Sequence, residues 1–270
     1  MKKINSNFGF FALIFFTVLI SCNNSNKKDD YTILYNGSDL TDWTTMCRGD
    51  DPELPKMVFT PGENGELHVF KDIPDSTGLG EGKNETHGMI FTKKSFSRYS
   101  FRFEYKWGEK VYNNFDKYNY DAGIYYHIFE EKLWPRGIEY QIRYDHTKGI
   151  NHTGDIWNSG SSFDWVAGSD NTYLPIEWGG VQQERKSGEH RCLADAKFNA
   201  LNDQWNQCEI IVMGDKYAIH KLNGDVVNVI TNLAQKKGTI GLQAETAEIF
   251  YRNVKIKEFA ENIPIERFLK

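Results

Sequence analysis

Tyr99-Ser100-Phe101-Arg102-Phe103-Glu104-Tyr105-Lys106-Trp107 places an aromatic ring at every odd position and a polar or charged residue at every even one. Side chains of an extended strand change face at each residue, so this period of two predicts a strand with one aromatic and one polar face. Ile138-Glu139-Tyr140-Gln141-Ile142-Arg143-Tyr144 repeats the pattern, with Glu139, Gln141 and Arg143 on its polar face. Nearer the C-terminus, Cys208 to Met213 and Lys216 to Leu222 flank Gly214-Asp215, and Asn223-Gly224-Asp225 turns the chain into Val226 to Thr231. Asn and Gly accept the positive φ of tight hairpins. Thr239 to Ala244 and Glu248 to Lys257 read as two further strands, and a short stretch around Leu193 to Leu201 is the one helical window. Many short strands joined by turns predict an all-β chain folded as an antiparallel two-sheet jelly-roll sandwich. The loop-rich middle, Asn158 to Arg191, is long for a compact domain, and ordered loops of that length often line sites.

The N-terminus reads differently. Basic Met1-Lys2-Lys3 precedes an apolar run from Phe8 through Ile20, which ends at Cys22. That run is shorter than the roughly 20 residues needed to cross a bilayer, so it predicts a secretory signal. Val18-Leu19-Ile20-Ser21-Cys22 has the form of a lipoprotein signal box, with Cys22 the lipidated residue; the other reading is an ordinary signal peptide that happens to end near a cysteine. After Cys22, residues 23–30 contain no apolar side chain to bury and read as a solvated tether. The expected organisation is a signal peptide over 1–21, a tether over 22–30 and a single domain over 31–270. The expected location is the cell envelope, at the periplasm or outer membrane surface, with the lipid anchor as the sole membrane contact.

Beyond Cys22, an exported chain has three cysteines, Cys47, Cys192 and Cys208, so at most one intramolecular disulfide forms. Cys192 with Cys208 is the first pair to test, and structural thiols are the alternative. The formal charge of -5, with no Lys or Arg block after the signal, argues against a nucleic-acid partner and favours a neutral substrate. Aromatics make up 14% of the chain, which favours strands and supplies flat faces for sugar rings. No dinucleotide fingerprint, P-loop, HExxH helix or GxSxG elbow occurs, which disfavours hydrolase mechanisms built on those parts, and no organic cofactor is expected.

Glu139 and Gln141 sit two apart on one strand and project from the same face, a carboxylate beside an amide suited to gripping sugar hydroxyls. A solvent-facing polar edge is the plainer reading. Gln243 and Glu245 repeat the arrangement downstream. If both strands line one concave sheet, Glu139 and Glu245 face each other across a groove and can divide acid and base roles in glycoside cleavage. His146, His152 and Asp155 form a loop cluster of the kind that holds a divalent metal ion, although their spacing matches no specific metal signature. His127 is a candidate for the same groove.

Several segments, in order, resemble the 3-keto-disaccharide hydrolase family: Leu34 to Trp43, Phe91 to Lys94 followed by Tyr99 to Tyr105, Asp121 to Tyr125, Gly137 to Ile142, Thr153 to Trp157, Trp205-Asn206, Leu222 to Gly224, Ile240 to Glu245 and Phe250 to Val254. The resemblance covers nearly the whole chain after the tether. It implies a concanavalin A-like fold whose concave face binds an oligosaccharide or glycoside, and cleavage of sugars oxidised at C3 by hydrolysis or by elimination and hydration. In that chemistry a divalent cation can steady the enolate. The resemblance makes Glu139, Glu245 and His152 the catalytic candidates. Gln141, Gln243, Tyr125, His127, Arg143 and Trp157 are the substrate-binding ones. The chain departs from the family pattern where Asp121-Ala122 replaces Asn-Ser, where His127 replaces a frequent Arg, and where Glu245 replaces a frequent His.

A glycoside-cleaving enzyme is therefore the leading expectation. A non-catalytic carbohydrate-binding surface lipoprotein is the alternative. A structural surface protein is the third reading, and the polar strand face argues against it, because protein interfaces usually present an apolar centre.

Overall fold

The five aromatic side chains of the Tyr99–Trp107 stretch all lie on the inner face of one long strand and are at most 5% exposed. The computed structural model describes residues 30–73, 85–111, 120–193 and 197–269. The expected signal, its lipidated Cys22 and all of the tether but Asp30 lie outside the described residues. No described helix is long and apolar enough to cross a membrane.

In chain order the described strands are β1 (Thr32–Ile33), β2 (Trp43–Cys47), β3 (Phe59–Pro61), β4 (Leu67–Val69), β5 (Gly88–Thr92), β6 (Arg98–Val111), β7 (Tyr120–Glu130), β8 (Arg136–Asp145), β9 (Ile150–Asn151), β10 (Ile156–Ser159), β11 (Asp164–Ala167), β12 (Val181–Gln182), β13 (Gly188–His190), β14 (Asn206–Met213), β15 (Tyr217–Leu222), β16 (Asp225–Thr231), β17 (Thr239–Ala244) and β18 (Ala247–Glu258). They form two antiparallel sheets. The back sheet runs β12-β11-β16-β15-β14-β6-β18-β4-β3, with β1 against β18. The front sheet runs β13-β10-β8-β7-β17-β5-β2, with β9 against β8. This is the all-β sandwich that the sequence pattern predicts.

Between the sheets, Tyr99, Phe101, Phe103 and Tyr105 of β6 meet Ile124 and Tyr126 of β7, Ile138, Tyr140 and Ile142 of β8, and Leu242 of β17 in one core. Burying such side chains contributes roughly 1.5–3 kcal/mol each, which makes this layer the main stabilising element. Several polar groups caught inside are paired: Tyr105 bonds Thr153 at 2.8 Å, and His220 bonds the Tyr126 hydroxyl and the Gly154 carbonyl, each at 3.0 Å, whereas the buried Tyr99 hydroxyl has no hydrogen-bond partner among the described residues. The hairpin residues Gly214, Asn223 and Gly224 take the positive φ expected of them.

Three expectations change. No helix forms at the described residues between Leu193 and Leu201; the one described α-helix is Leu54–Val58, started by Pro55. The stretch Asn158 to Arg191 is not simply loop, because it contributes β11, β12 and β13. Cys192 and Cys208 are not bridged. Both are buried free thiols, one beside the Thr153 carbonyl and the other facing the core from β14.

Candidate functional site

Because side chains alternate, six neighbouring strands of the front sheet present three cross-strand rows on the face turned away from the core. The first row is Trp157, Glu139, Tyr125, Gly241 and Phe91. The second is Gln141, Gly123, Gln243, Met89 and Met46, in which Gly123 meets Gln243 one step along from the Ile124–Leu242 pair. In the third, Arg143 opposes Asp121, and the row continues through Glu245, His87 and Arg48 just beyond the ends of β17, β5 and β2. Two sequence segments about 100 residues apart, around Glu139 and Glu245, thus supply one face.

The face is polar and yet covered. Glu139, Gln141, Arg143, Asp121 and Gln243 are all buried, and Met89, Phe91, Tyr125 and Ile128 form a small apolar cluster beside them. Gly123 opens the centre. An ideal β-carbon placed on it would stand 1.9 Å from Oε1 of Glu139, so the Glu139 carboxylate lies directly over the Gly123 backbone. Tyr125 hydrogen-bonds that carboxylate. The Gln141 amide donates to Asp121 and, at 3.3 Å, to the Ala122 carbonyl. Oε1 of Gln243 is a buried acceptor with no hydrogen-bond partner among the described residues, and its chemistry suits a hydroxyl donor.

Removing carboxylates from water favours their protonated forms, and like charges nearby add to the effect. Burial pushes Glu139 up to about 8, with Glu245 raising it further and the Tyr125 bond and Arg143 opposing. Burial likewise lifts Glu245 to about 7 against the pull of Arg143 and Arg48. Asp121 is raised well above the usual carboxylate range by burial, then by Glu245. These groups titrate as a set, so near neutral pH the face holds both a proton donor and a proton acceptor.

A second constellation flanks the first. Nδ1 of His152, Oδ2 of Asp155 and Oε1 of Glu189 lie within 4.8 Å of one another, a donor set whose chemistry suits a divalent ion. Two guanidinium groups already contact those atoms. Arg191 Nη1 lies 2.7 Å from Asp155 and 2.5 Å from His152, and Arg143 Nη2 lies 2.5 Å from Glu189 and 3.2 Å from His152. A metal would have to displace these cations, so the arrangement does not fit one, and no step below is routed through a metal. Burial raises Glu189, but hydrogen bonds led by that from His152, together with the Arg143 charge, bring it down to about 2.

Of the predicted site residues, Glu139, Glu245, Gln141, Gln243, Tyr125, Arg143 and Trp157 meet on this face, and His152 and Asp155 meet at its edge. His146 does not join them, because it is exposed in the turn between β8 and β9 with its ring against Tyr120. His127 also lies elsewhere. A bulge in β7 gives it φ 49°, and its buried ring bonds the Gly214 carbonyl at 2.9 Å beside Tyr99 and Tyr126. The reading of the sequence left out Asp121, Glu189 and Arg191, and gave no role to Arg48, His87 and Trp134. The Trp134 ring lies nearly perpendicular to the His87 ring at 5.3 Å and under the Arg48 guanidinium at 4.7 Å. Trp134 and Trp157 keep 40% and 39% of their surface exposed.

Solved structures with a similar fold include a candidate glycosyl hydrolase from Parabacteroides distasonis, at 20% identity over 85% of this chain and 94% of that one, with a TM-score of 0.49. A Bacillus subtilis protein of galectin-like fold is 11% identical over 86% of this chain and all of its own, TM-score 0.48. A Bacillus licheniformis β-glucanase is 11% identical over 85% and 98%, TM-score 0.48. No curated protein matches the sequence. Residues 30–257 match the family described as the 3-keto-alpha-glucoside-1,2-lyase-like domain. That match spans most of the chain, which therefore belongs to the 3-keto-alpha-glucoside-1,2-lyase-like family.

Proposed function

We propose that this protein cleaves glycosides whose sugar carries a ketone at C3, with Glu245 as base and Glu139 as acid. A 3-keto group acidifies the C2 proton. Glu245, the more readily ionised of the two, removes that proton, and the electron pair left on C2 forms the C1–C2 double bond. The C1–O bond breaks, and Glu139 gives its proton to the departing aglycone oxygen. Addition of water across the double bond then completes a net hydrolysis. Gln141, Gln243 and Arg143 bind the sugar, and Trp157, the cross-strand neighbour of Glu139, offers a stacking face to the aglycone.

One observation carries the reading: the Glu139 carboxylate lies over Gly123 within the electrostatic reach of Glu245, so two carboxyl groups of raised pKa share one covered face. Catalytic acids and bases are found where burial and like charge tune such groups toward neutral pH. The test is aglycone release from an aryl 3-keto-glucoside, with the unoxidised glucoside alongside. Release from the keto sugar alone supports the proposal. Binding of sugars without release from either compound overturns it in favour of a carbohydrate-binding role.

Export and attachment through Cys22 belong to the same proposal, because such a protein meets glycans outside the cell. Labelling with a radioactive fatty acid should mark the wild type and not Cys22→Ala; equal labelling of both contradicts an anchor at Cys22.

A further inference from the structure

Proton abstraction from C2 leaves negative charge on the C3 oxygen, and some group next to the base must receive it. C2 and C3 are bonded neighbours, so that group has to stand beside Glu245 and carry hydrogen-bond donors not already in use. Arg143 lies on the Glu139 side of the face, where its guanidinium contacts Glu189, His152 and, at 4.0 Å, Asp121. Arg48 is placed differently. It continues the third row past Glu245 and His87, its backbone N–H donates to the His87 carbonyl at 2.8 Å, and its charge is felt by both Glu245 and His87.

The Arg48 guanidinium is held by stacking. Its carbon lies 4.7 Å from the centroid of the Trp134 ring, and the His87 ring packs T-shaped against the same indole at 5.3 Å. A planar guanidinium that rests on an aromatic face keeps its N–H groups, which point outward in its own plane, available for another partner. Arg48 Nη1 is such a group: it is buried and has no hydrogen-bond partner among the described residues. A buried donor without an acceptor costs about 1–3 kcal/mol, a cost that a ligand oxygen removes. His87 cannot easily take the role of a cation, because burial and the charge of Arg48 lower it to about 4.

We propose that Arg48 is a catalytic residue that donates to the C3 oxygen of a 3-keto sugar and stabilises the enolate, with Trp134 as its positioning residue. The inference rests on the functional reading above and adds to it the electrophile that the reaction needs. It gives a fixed cation the part that a metal would otherwise play. Pre-set donors aimed at developing oxyanions are typically worth about 100- to 1000-fold in rate.

The experiment compares aryl 3-keto-glucoside cleavage by wild type, Arg48→Ala and Arg48→Lys, with and without added guanidinium or ethylguanidinium, after thermal melts have verified folding. Arg48→Ala should lose about 100- to 1000-fold in kcat and regain part of it with added guanidinium. Arg48→Lys keeps charge without the planar stack, so it should fall between the two and gain nothing from the additive, which makes it the reporter should Arg48→Ala fail to fold. A merely structural arginine would not give this rescue. An active wild type whose folded Arg48 variants stay within about threefold of it overturns the role of Arg48 alone, as does activity lost to a chelator and restored by a divalent ion. A wild type inert towards every 3-keto glycoside overturns the functional reading, and Arg48's role falls with it.

Discussion

Glu139 lies diagonally across the β7–β8 pair from Gly123, so closely that its Oε1 lies 1.9 Å from the position a β-carbon on Gly123 would take. The missing side chain is what lets the carboxylate lie down into the centre of the face. Gly123→Ala should therefore push the acid away from the leaving group. The account expects a stability loss of about 1–3 kcal/mol from overpacking and a fall in kcat of about 100-fold from misplacement. Denaturant unfolding and steady-state kinetics on the same variant check both; a variant with unchanged kcat contradicts the placement.

The raised pKa of Glu139 has a thermodynamic consequence. The folded protein keeps this proton up to about pH 8, whereas an unperturbed glutamate releases it near 4.5. Between those values the folded state binds more protons than the unfolded one, so stability falls as pH rises through that window. Glu139→Gln removes the titration. Unfolding free energies measured from pH 5 to pH 9 should decline less in the variant, by on the order of a few kcal/mol. Parallel pH profiles would show that Glu139 is not held protonated.

For turnover, Glu245 must be ionised and Glu139 protonated. The rate should rise as pH climbs through about 7 and fall as it passes about 8, giving a narrow bell near neutral to slightly alkaline pH. Glu139→Gln should lower kcat and abolish the alkaline limb. An alkaline limb that persists in the variant assigns it to another group.

Arg191 balances the buried carboxylate of Asp155 and contacts His152, while the Asp155 side chain is 1% exposed. Arg191→Ala leaves that charge uncompensated and should cost about 3–5 kcal/mol of folding stability. Adding divalent ions to the variant makes the test sharper: no recovery is expected, and recovery of stability by a metal would show that the three donors accept one once the guanidinium is gone.

Trp157 is exposed, so its loss should leave the fold nearly unchanged. Trp157→Ala should shift stability by less than about 0.5 kcal/mol while raising KM for aryl glycosides by about 3- to 10-fold, the worth of one stacking contact. An unchanged KM would place the aglycone elsewhere.

The sandwich was legible because its strands write their two faces directly: the odd aromatics of β6 and the alternation of β8 need no partner to be read. The shared face of Glu139 and Glu245 was legible for the same reason, since Glu139 lies on β8 and Glu245 one step past the end of β17, strands whose apolar residues fix which side faces out. His127 misled because the β7 bulge, with φ 49° at that residue, puts its ring elsewhere than the face that Tyr125 occupies, and His146 because closeness in sequence to His152 says nothing about which end of a hairpin a residue occupies. Glu189 and Arg191 sit on a three-residue strand and just beyond it, too short for any period to show. Trp134 and Arg48 meet only because the β7–β8 connection carries the indole to the end of β2 and β5, a contact that no local pattern encodes.

The central claim is a division of labour between two carboxyl groups, and exchange of the C2 proton of an aryl 3-keto-glucoside in heavy water, followed by NMR together with aglycone release, tests it most directly. Glu139→Gln should still exchange the C2 proton while releasing aglycone slowly, and Glu245→Gln should do neither. Exchange lost in Glu139→Gln and retained in Glu245→Gln, or left intact in both, would contradict the account.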